Sequence, residues 1–176
     1  IFLACFALLA NAACLVAQSA AEVEAMEKKL AGATEDSTRV KTLNELAYLL
    51  LTSSPARSRE YSEKSLSLTE GLEQGKTIPG LTLTDRGVAC FYLGWYHMQR
   101  GEYPEAVGQT HKALNLYERA GDRMRMGSCY NALGTIFKRQ KNHAESERHY
   151  QKALQIFRSE NDGERLSSLY LNYGGL

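Results

Sequence analysis

The chain has 176 residues, 44% of them hydrophobic and 23% charged, with a formal net charge of +1. That composition excludes a disordered or collagen-like chain and fits a globular domain with its own core. A balance this close to neutral gives no global attraction for nucleic acid or anionic lipid.

The first predicted element is an apolar run. Ile1 to Ala17 carries no charge and only Asn11 breaks its apolar character, after which the chain turns polar at AEVEAMEKK. This is the pattern of the apolar and cleavage regions of a secretory signal peptide, assigned to residues 1–21, with the basic start and the initiating Met missing. Cuts after Ala17, Ala20 or Ala21 fit. The run is shorter than the roughly 20 residues a membrane span needs. A retained anchor, a lipid-bearing Cys14 and a buried helix are the alternatives. The chain starts at Ile1 and ends in LYLNYGGL, which predicts a fragment open at both ends. Export would place it on the periplasmic or extracytoplasmic side of a bacterial envelope.

Residues 22–176 are expected to form one helical repeat domain. The segments starting at Gly87 and Gly127 align without a gap at an offset of 40. Leu93-Gly94 meets Leu133-Gly134, Glu105 meets Glu145, Ala113 meets Ala153, Tyr117 meets Phe157, and Asp122 meets Asp162. A further copy opens at the end, where Tyr170 and Gly174 follow Tyr130 and Gly134 by the same 40 residues. A degenerate copy stands upstream, with Leu46-Ala47 in the Leu-Gly place and Lys64-Ser65-Leu66 in the Lys-Ala-Leu place. The units are assigned to about residues 36–70, 82–121 and 122–161, with 162–176 a partial one. Gly71 to Asp85, with Pro79 and several glycines, reads as a longer connector and the loosest joint of the array.

Each unit reads as two helices, in the third unit about 123–140 and 143–159. Tyr150, Ala153, Leu154 and Phe157 recur at i, i+3, i+4 and i+7, a helical stripe. Asp122 and Asp162 stand at N-cap positions, as does Ser54 before Pro55; Pro104 takes a similar early place in its helix, and Gly121 suits a left-handed helix end. One helix pair cannot bury such stripes on both sides, whereas stacked pairs can. The fold class expected is an all-α solenoid of antiparallel helix pairs.

These motifs resemble the tetratricopeptide repeat, over about Thr34 to Leu176. The matches are Leu93-Gly94, Gly101-Glu102-Tyr103, Ala106 and Ala113 in the second unit, and Leu133, Gly134, Phe137, Tyr150 and Ala153 in the third. Cys90 and Tyr130 replace the signature Trp, His97 replaces the Tyr, Lys141 the turn Gly and Ser146 one Ala. The period of 40 rather than 34 implies longer helices, as in the long-helix subclass found in kinesin light chains. The resemblance implies a right-handed superhelix and a non-enzymatic scaffold for a protein or peptide partner. Behind a signal peptide it also resembles the exported N-terminal sensor region of bacterial signalling proteins, whose effector domain would lie past Leu176. A self-assembling envelope solenoid, with the chain as a homo-oligomer, is the alternative.

Carried over by motif position, the inner surface is lined by Lys41, Asn44, Tyr48 and Leu51, then Val88, Phe91, Trp95, Met98 and Gln99, then Ser128, Asn131, Thr135, Lys138 and Arg139. The middle unit is aromatic and apolar and the third polar and basic, which suits an extended or helical peptide carrying an acidic residue. Packing against neighbouring helices is the alternative for Phe91, Trp95 and Met98. From Arg119 to Lys152, Lys and Arg outnumber Asp and Glu eight to three, read as a solvated helix face with pairs such as Glu145–His149 and Glu147–Gln151, with a patch for an acidic partner as the alternative.

Sharper chemistry is not legible. His143 and His149 lie six apart, off the i,i+4 spacing of two ligands on one helix face. His97 and His111 lack a nucleophile partner, and no phosphate-binding glycine motif occurs. No catalytic residue, metal or cofactor is therefore expected, nor nucleic acid as a partner, and membrane contact only through an uncleaved signal or a span outside the chain. Cys90 and Cys129 read as small buried apolar residues, with a disulfide as the alternative.

Overall fold

The computed structural model describes residues 20–174. The signal peptide assigned to residues 1–21 therefore lies, but for its last two positions, outside the described residues, as do Gly175 and Leu176. A helix, α1, covers 20–32. It is followed by α2 (Asp36–Leu49), α3 (Pro55–Leu68), α4 (Glu70–Glu73), α5 (Leu83–Gln99), α6 (Tyr103–Ala120), α7 (Arg123–Arg139), α8 (His143–Ser159) and α9 (Gly163–Tyr173). No strand occurs among the described residues.

The pairs expected from the sequence are present: α2 packs on α3, α5 on α6 and α7 on α8, and each pair packs on the next, with α9 against α7 and α8. The first helices of the pairs, α2, α5, α7 and α9, are called A helices below; α3, α6 and α8 are B helices. Helices α5 to α8 are 17 or 18 residues long, against 14 each for α2 and α3, so the longer period is spent on about one further helical turn per helix. The fold is a helical solenoid in which neighbouring units share a continuous core.

The α5–α6 and α7–α8 pairs close on glycine notches filled by side chains of the facing helix. A Cβ added at Gly134 would stand 2.5 Å from the Tyr150 ring, at Gly127 2.5 Å from Phe157, and at Gly87 2.5 Å from Tyr117. These three aromatic residues are among the largest fully buried side chains, and burying each contributes roughly 2–3 kcal/mol. Gly94 instead faces Thr110, whose hydroxyl donates back to the Ala106 carbonyl at 2.8 Å. Gly134 thus meets Tyr150 rather than an alanine of α8. Leu93, Ala106, Ala113, Leu133 and Ala153 are all buried. Ser146, the departure from the family's Ala, donates to the Gly134 carbonyl at 2.8 Å, and Ser58 does the same to Ala47 at 2.7 Å in the first pair. The extra hydroxyl is satisfied by the facing helix, so its burial carries no unpaired-donor penalty.

The turns are equally regular. Gly101, Gly121, Lys141 and Asn161, spaced every 20 residues, take φ of 75°, 72°, 61° and 54°. After each, the next N–H reaches back five residues into the finished helix, as in Asp122 to the Tyr117 carbonyl at 2.9 Å and Asn142 to the Phe137 carbonyl at 2.9 Å. Asp122 and Asp162 accept from the N–H of Arg125 and Arg165 at 3.1 and 2.9 Å. Ser54 stands at the N-cap of α3 but its side chain makes no cap bond, contrary to the expected role. Lys141 holds a left-handed conformation that costs a residue with a Cβ roughly 1–2 kcal/mol. Lys141→Gly is expected to raise stability by about 0.5–1 kcal/mol after the extra entropy of unfolded glycine is deducted. A thermal melt showing no gain would count against this.

Two segments hold more structure than the sequence suggested. Val23, Met26 and Leu30 of α1 pack into the cluster of Leu43, Leu46 and Tyr61, and the Glu27 carboxylate accepts from Arg57 and Tyr61. The connector, expected to be the loosest joint, is pinned: Leu72 and Leu81 bury against Val40, and Arg86 reaches Glu73 at 2.6 Å and the Leu66 carbonyl at 2.7 Å. Its last residues already belong to α5, where the Asp85 carboxylate accepts from the Thr82 N–H at 2.8 Å. Cys90 and Cys129 are free and buried, and burial raises both thiols, Cys90 to about 11.

Candidate binding groove

On α5 the residues opposite the Leu93-Gly94 seam recur at three- and four-residue steps: Val88, Phe91, Trp95 and Met98. The same stripe on α7 gives Ser128, Asn131 and Thr135, and on α2 Lys41, Asn44 and Tyr48, with Leu51 in the turn just past its end. The A helices stand side by side, and these stripes border one groove of about 780 Å³, which Ser168 and Asn172 extend onto α9.

The floor is aromatic toward α2 and α5. Tyr92 lies 6.2 Å from Tyr48 and 6.0 Å from Phe91 between ring centroids, and its burial pushes the phenol up to about 12. Tyr48 is 62% exposed, and Trp95 is half-buried against Met98, Ala106 and Ile136. Toward α7 and α9 the lining turns to amides and hydroxyls: Asn172 donates to Asn131 at 3.2 Å, and the Thr135 hydroxyl lies 3.1 Å from the Tyr150 hydroxyl. Of the charged residues on the lining, Arg125, Arg139 and Arg165 belong to α7 and α9, and Lys41, Glu45 and Asp85 to α2 and α5.

Four sequence-predicted residues are placed differently from the rest. The Asn44 amide is used inside the fold, donating to the Asp85 carbonyl at 2.9 Å and accepting from Ser65 at 2.8 Å. Met98 borders the groove but is only 4% exposed, so it packs the seam between the second and third units. Lys138 does not line the groove; its ammonium donates to the Asn172 carbonyl at 2.7 Å and ties α7 to α9. Gln99 also stays outside the lining and accepts from Arg139 at 3.2 Å. Tyr92, Arg125, Arg165, Ser168 and Asn172 escaped the sequence reading. The arginines were legible, since each follows its N-cap Asp by three residues and they lie 40 apart.

The basic segment is a solvated face only in part. Arg125 pairs with Asp122 at 2.7 Å, Arg148 with Glu145 at 2.7 Å, and Gln151 with Glu147 at 3.2 Å. Glu145–His149 is not a surface pair. His149 is 3% exposed and sandwiched between Phe137, at 5.3 Å, and Tyr130, at 6.0 Å. Among the described residues its Nδ1 is buried without a partner, and burial lowers the pKa of the ring to about 4, so it is neutral near pH 7.

Among the described residues no three His, Cys, Asp or Glu side chains are placed to hold a metal ion, and no helix is long and apolar enough to cross a membrane. The curated proteins include no match to the chain. The family model of the tetratricopeptide repeat matches residues 87–159, from the first notch glycine of α5 to the end of α8. With the paired helices and the glycine notches, this match identifies residues 87–159 as tetratricopeptide repeats, units that generally mediate protein–protein interaction.

Proposed function

We propose that the chain is a non-enzymatic scaffold that holds a peptide or protein segment in the groove of its A helices. The observation that carries this reading is the groove's continuity: four helices from successive units contribute side chains to one surface, with aromatic area on one side and hydrogen-bonding groups on the other. Trp95 is the anchor, because a half-buried Trp offers a large apolar face at little entropic cost on binding.

The test is a selection of random twelve-residue displayed peptides on the chain, followed by titration of the enriched peptides. Trp95→Ala is expected to weaken them by roughly tenfold or more, with helicity and oligomeric state unchanged. An empty selection, or peptides indifferent to Trp95, would overturn the reading. A self-assembling solenoid is the second reading, favoured by the exposure of Leu171 (84%) and Tyr170 (47%) on α9. Self-association broken by Leu171→Ser, with no peptide selected, would favour it instead.

Export and a sensor role extend the proposal. Export is supported by the uncharged apolar run Ile1 to Ala17 and the small residues that follow. The first 25 residues fused to a reporter should direct its translocation and processing in a bacterial host; retention of the full-length fusion in the cytoplasm would contradict export.

A further inference from the structure

We infer that the outer end of the α2–α3 pair is a seat for one amphipathic helix, and that its occupant is the chain's own α1, standing where a preceding unit would place its B helix. The register of the repeats carries this. Ser58 and Ser146 make the same bond to the facing A helix, onto the Ala47 and Gly134 carbonyls. Tyr61 and His149 each follow by three residues, so they hold equivalent places. His149 lies between Tyr130 and Phe137 of α7, and Tyr61 joins the equivalent Leu43 and Leu50 of α2 in one cluster. In the third unit the preceding B helix, α6, borders this place, with the His111 ring 6.5 Å from His149. In the first unit α1 borders it instead, through Glu27 on Tyr61.

Two features make the seat selective. Val23, Met26 and Leu30 fall at i, i+3 and i+7 and turn one apolar stripe onto the cluster, with Val23 buried. Glu27, beside that stripe, meets a clamp on α3. Its carboxylate accepts from both Arg57 and Tyr61, and Arg57 also donates to the Tyr61 hydroxyl at 3.4 Å. Glu22, Glu24, Lys28 and Lys29 stay exposed on the outside of α1, and Lys29 reaches Glu45 of α2 at 3.6 Å. A solenoid end needs such a helix, apolar toward the array and charged toward water, because its last apolar face has no neighbouring unit to cover it. With α1 seated, neither a second copy nor a partner can stack on this end. The expected leader cuts after Ala17, Ala20 or Ala21 all leave Val23 and the residues after it in place.

The experiment uses the full chain with a specific protease site spanning residues 33–35, between α1 and α2. After cutting, the α1 fragment should co-elute with the rest of the chain on gel filtration. M26D/L30D should release it, although the apolar run Ile1 to Ala17 is unchanged. Hydrogen–deuterium exchange on the uncut chains is the second readout. M26D/L30D should speed exchange on α2 and α3 by roughly tenfold or more, with α7 and α8 unchanged. E27R and R57E should each speed it by less, and E27R/R57E together should return it to the native rate. A fragment that leaves the native chain after cutting, or one that stays bound in M26D/L30D, would overturn the inference. So would a double reversal no better than either single one. Unfolding of M26D/L30D through α8 would make α1 part of a common core rather than the occupant of an end seat, and would overturn it as well.

Discussion

Gly134→Leu is expected to lower the stability of the solenoid by about 3 kcal/mol, the upper part of the range for forced overpacking. The first atom of any side chain at this position would stand 2.5 Å from the Tyr150 ring. The ring has nowhere to move, because Tyr150 is fully buried and its hydroxyl lies 3.1 Å from Thr135. The facing backbone is also fixed, since Ser146 donates to the Gly134 carbonyl. Relief therefore requires α7 and α8 to separate, which breaks packing across the whole pair. The control is Gly108→Ala. A Cβ at Gly108 of α6 meets nothing within 4 Å, and replacing an interior helical glycine gains roughly 0.5–1 kcal/mol. Opposite shifts of the two melting temperatures are expected; equal shifts would show that Gly134 is not a packing notch.

The second large effect is a pH dependence set by His149. Its folded-state pKa is lowered from 6.5 to about 4 because burial disfavours the charged ring. Between those values the unfolded chain binds a proton that the folded chain does not, so stability is full above about pH 6.5 and declines as the pH falls toward 4. The groups facing the ring agree in sign on balance: Arg148, Lys152 and His111 oppose protonation and Glu145 favours it, but burial is the larger cause. The loss is on the order of 2 kcal/mol across the window. His149→Phe, which keeps a ring between Phe137 and Tyr130, is expected to flatten this part of the pH profile measured by urea denaturation. A profile as steep as that of the native chain would place the titration elsewhere.

What was legible in the sequence was what repeats. The 40-residue echo carries the seam, the caps and the turns, and a periodic constraint shows itself in a single chain because every unit must solve the same packing problem. Lys141 and Asn161 break the glycine pattern without breaking the turn, because the backbone bonds after them hold the left-handed conformation. The stripe of each A helix was likewise readable, since three- and four-residue spacing fixes a face. What spacing could not show was which side chains on that face were already engaged. Asn44, Lys138 and Gln99 are tied to partners 21 to 41 residues away. His149 looked like a surface residue beside Glu145 and Arg148, and only the packing of α8 on α7 places its ring in the core. The α1 helix and the pinned connector have no echo at all, so repetition gave no signal for them.

The most direct measurement of the central claim is hydrogen–deuterium exchange of the chain with and without a peptide enriched in the displayed-peptide selection. The account predicts slowed exchange on α5 and α7, the A helices that carry Trp95 and Arg139, with α6 and α8 little changed. Protection on α6 and α8 instead, or no protection at saturating peptide, would contradict a binding surface on the A helices.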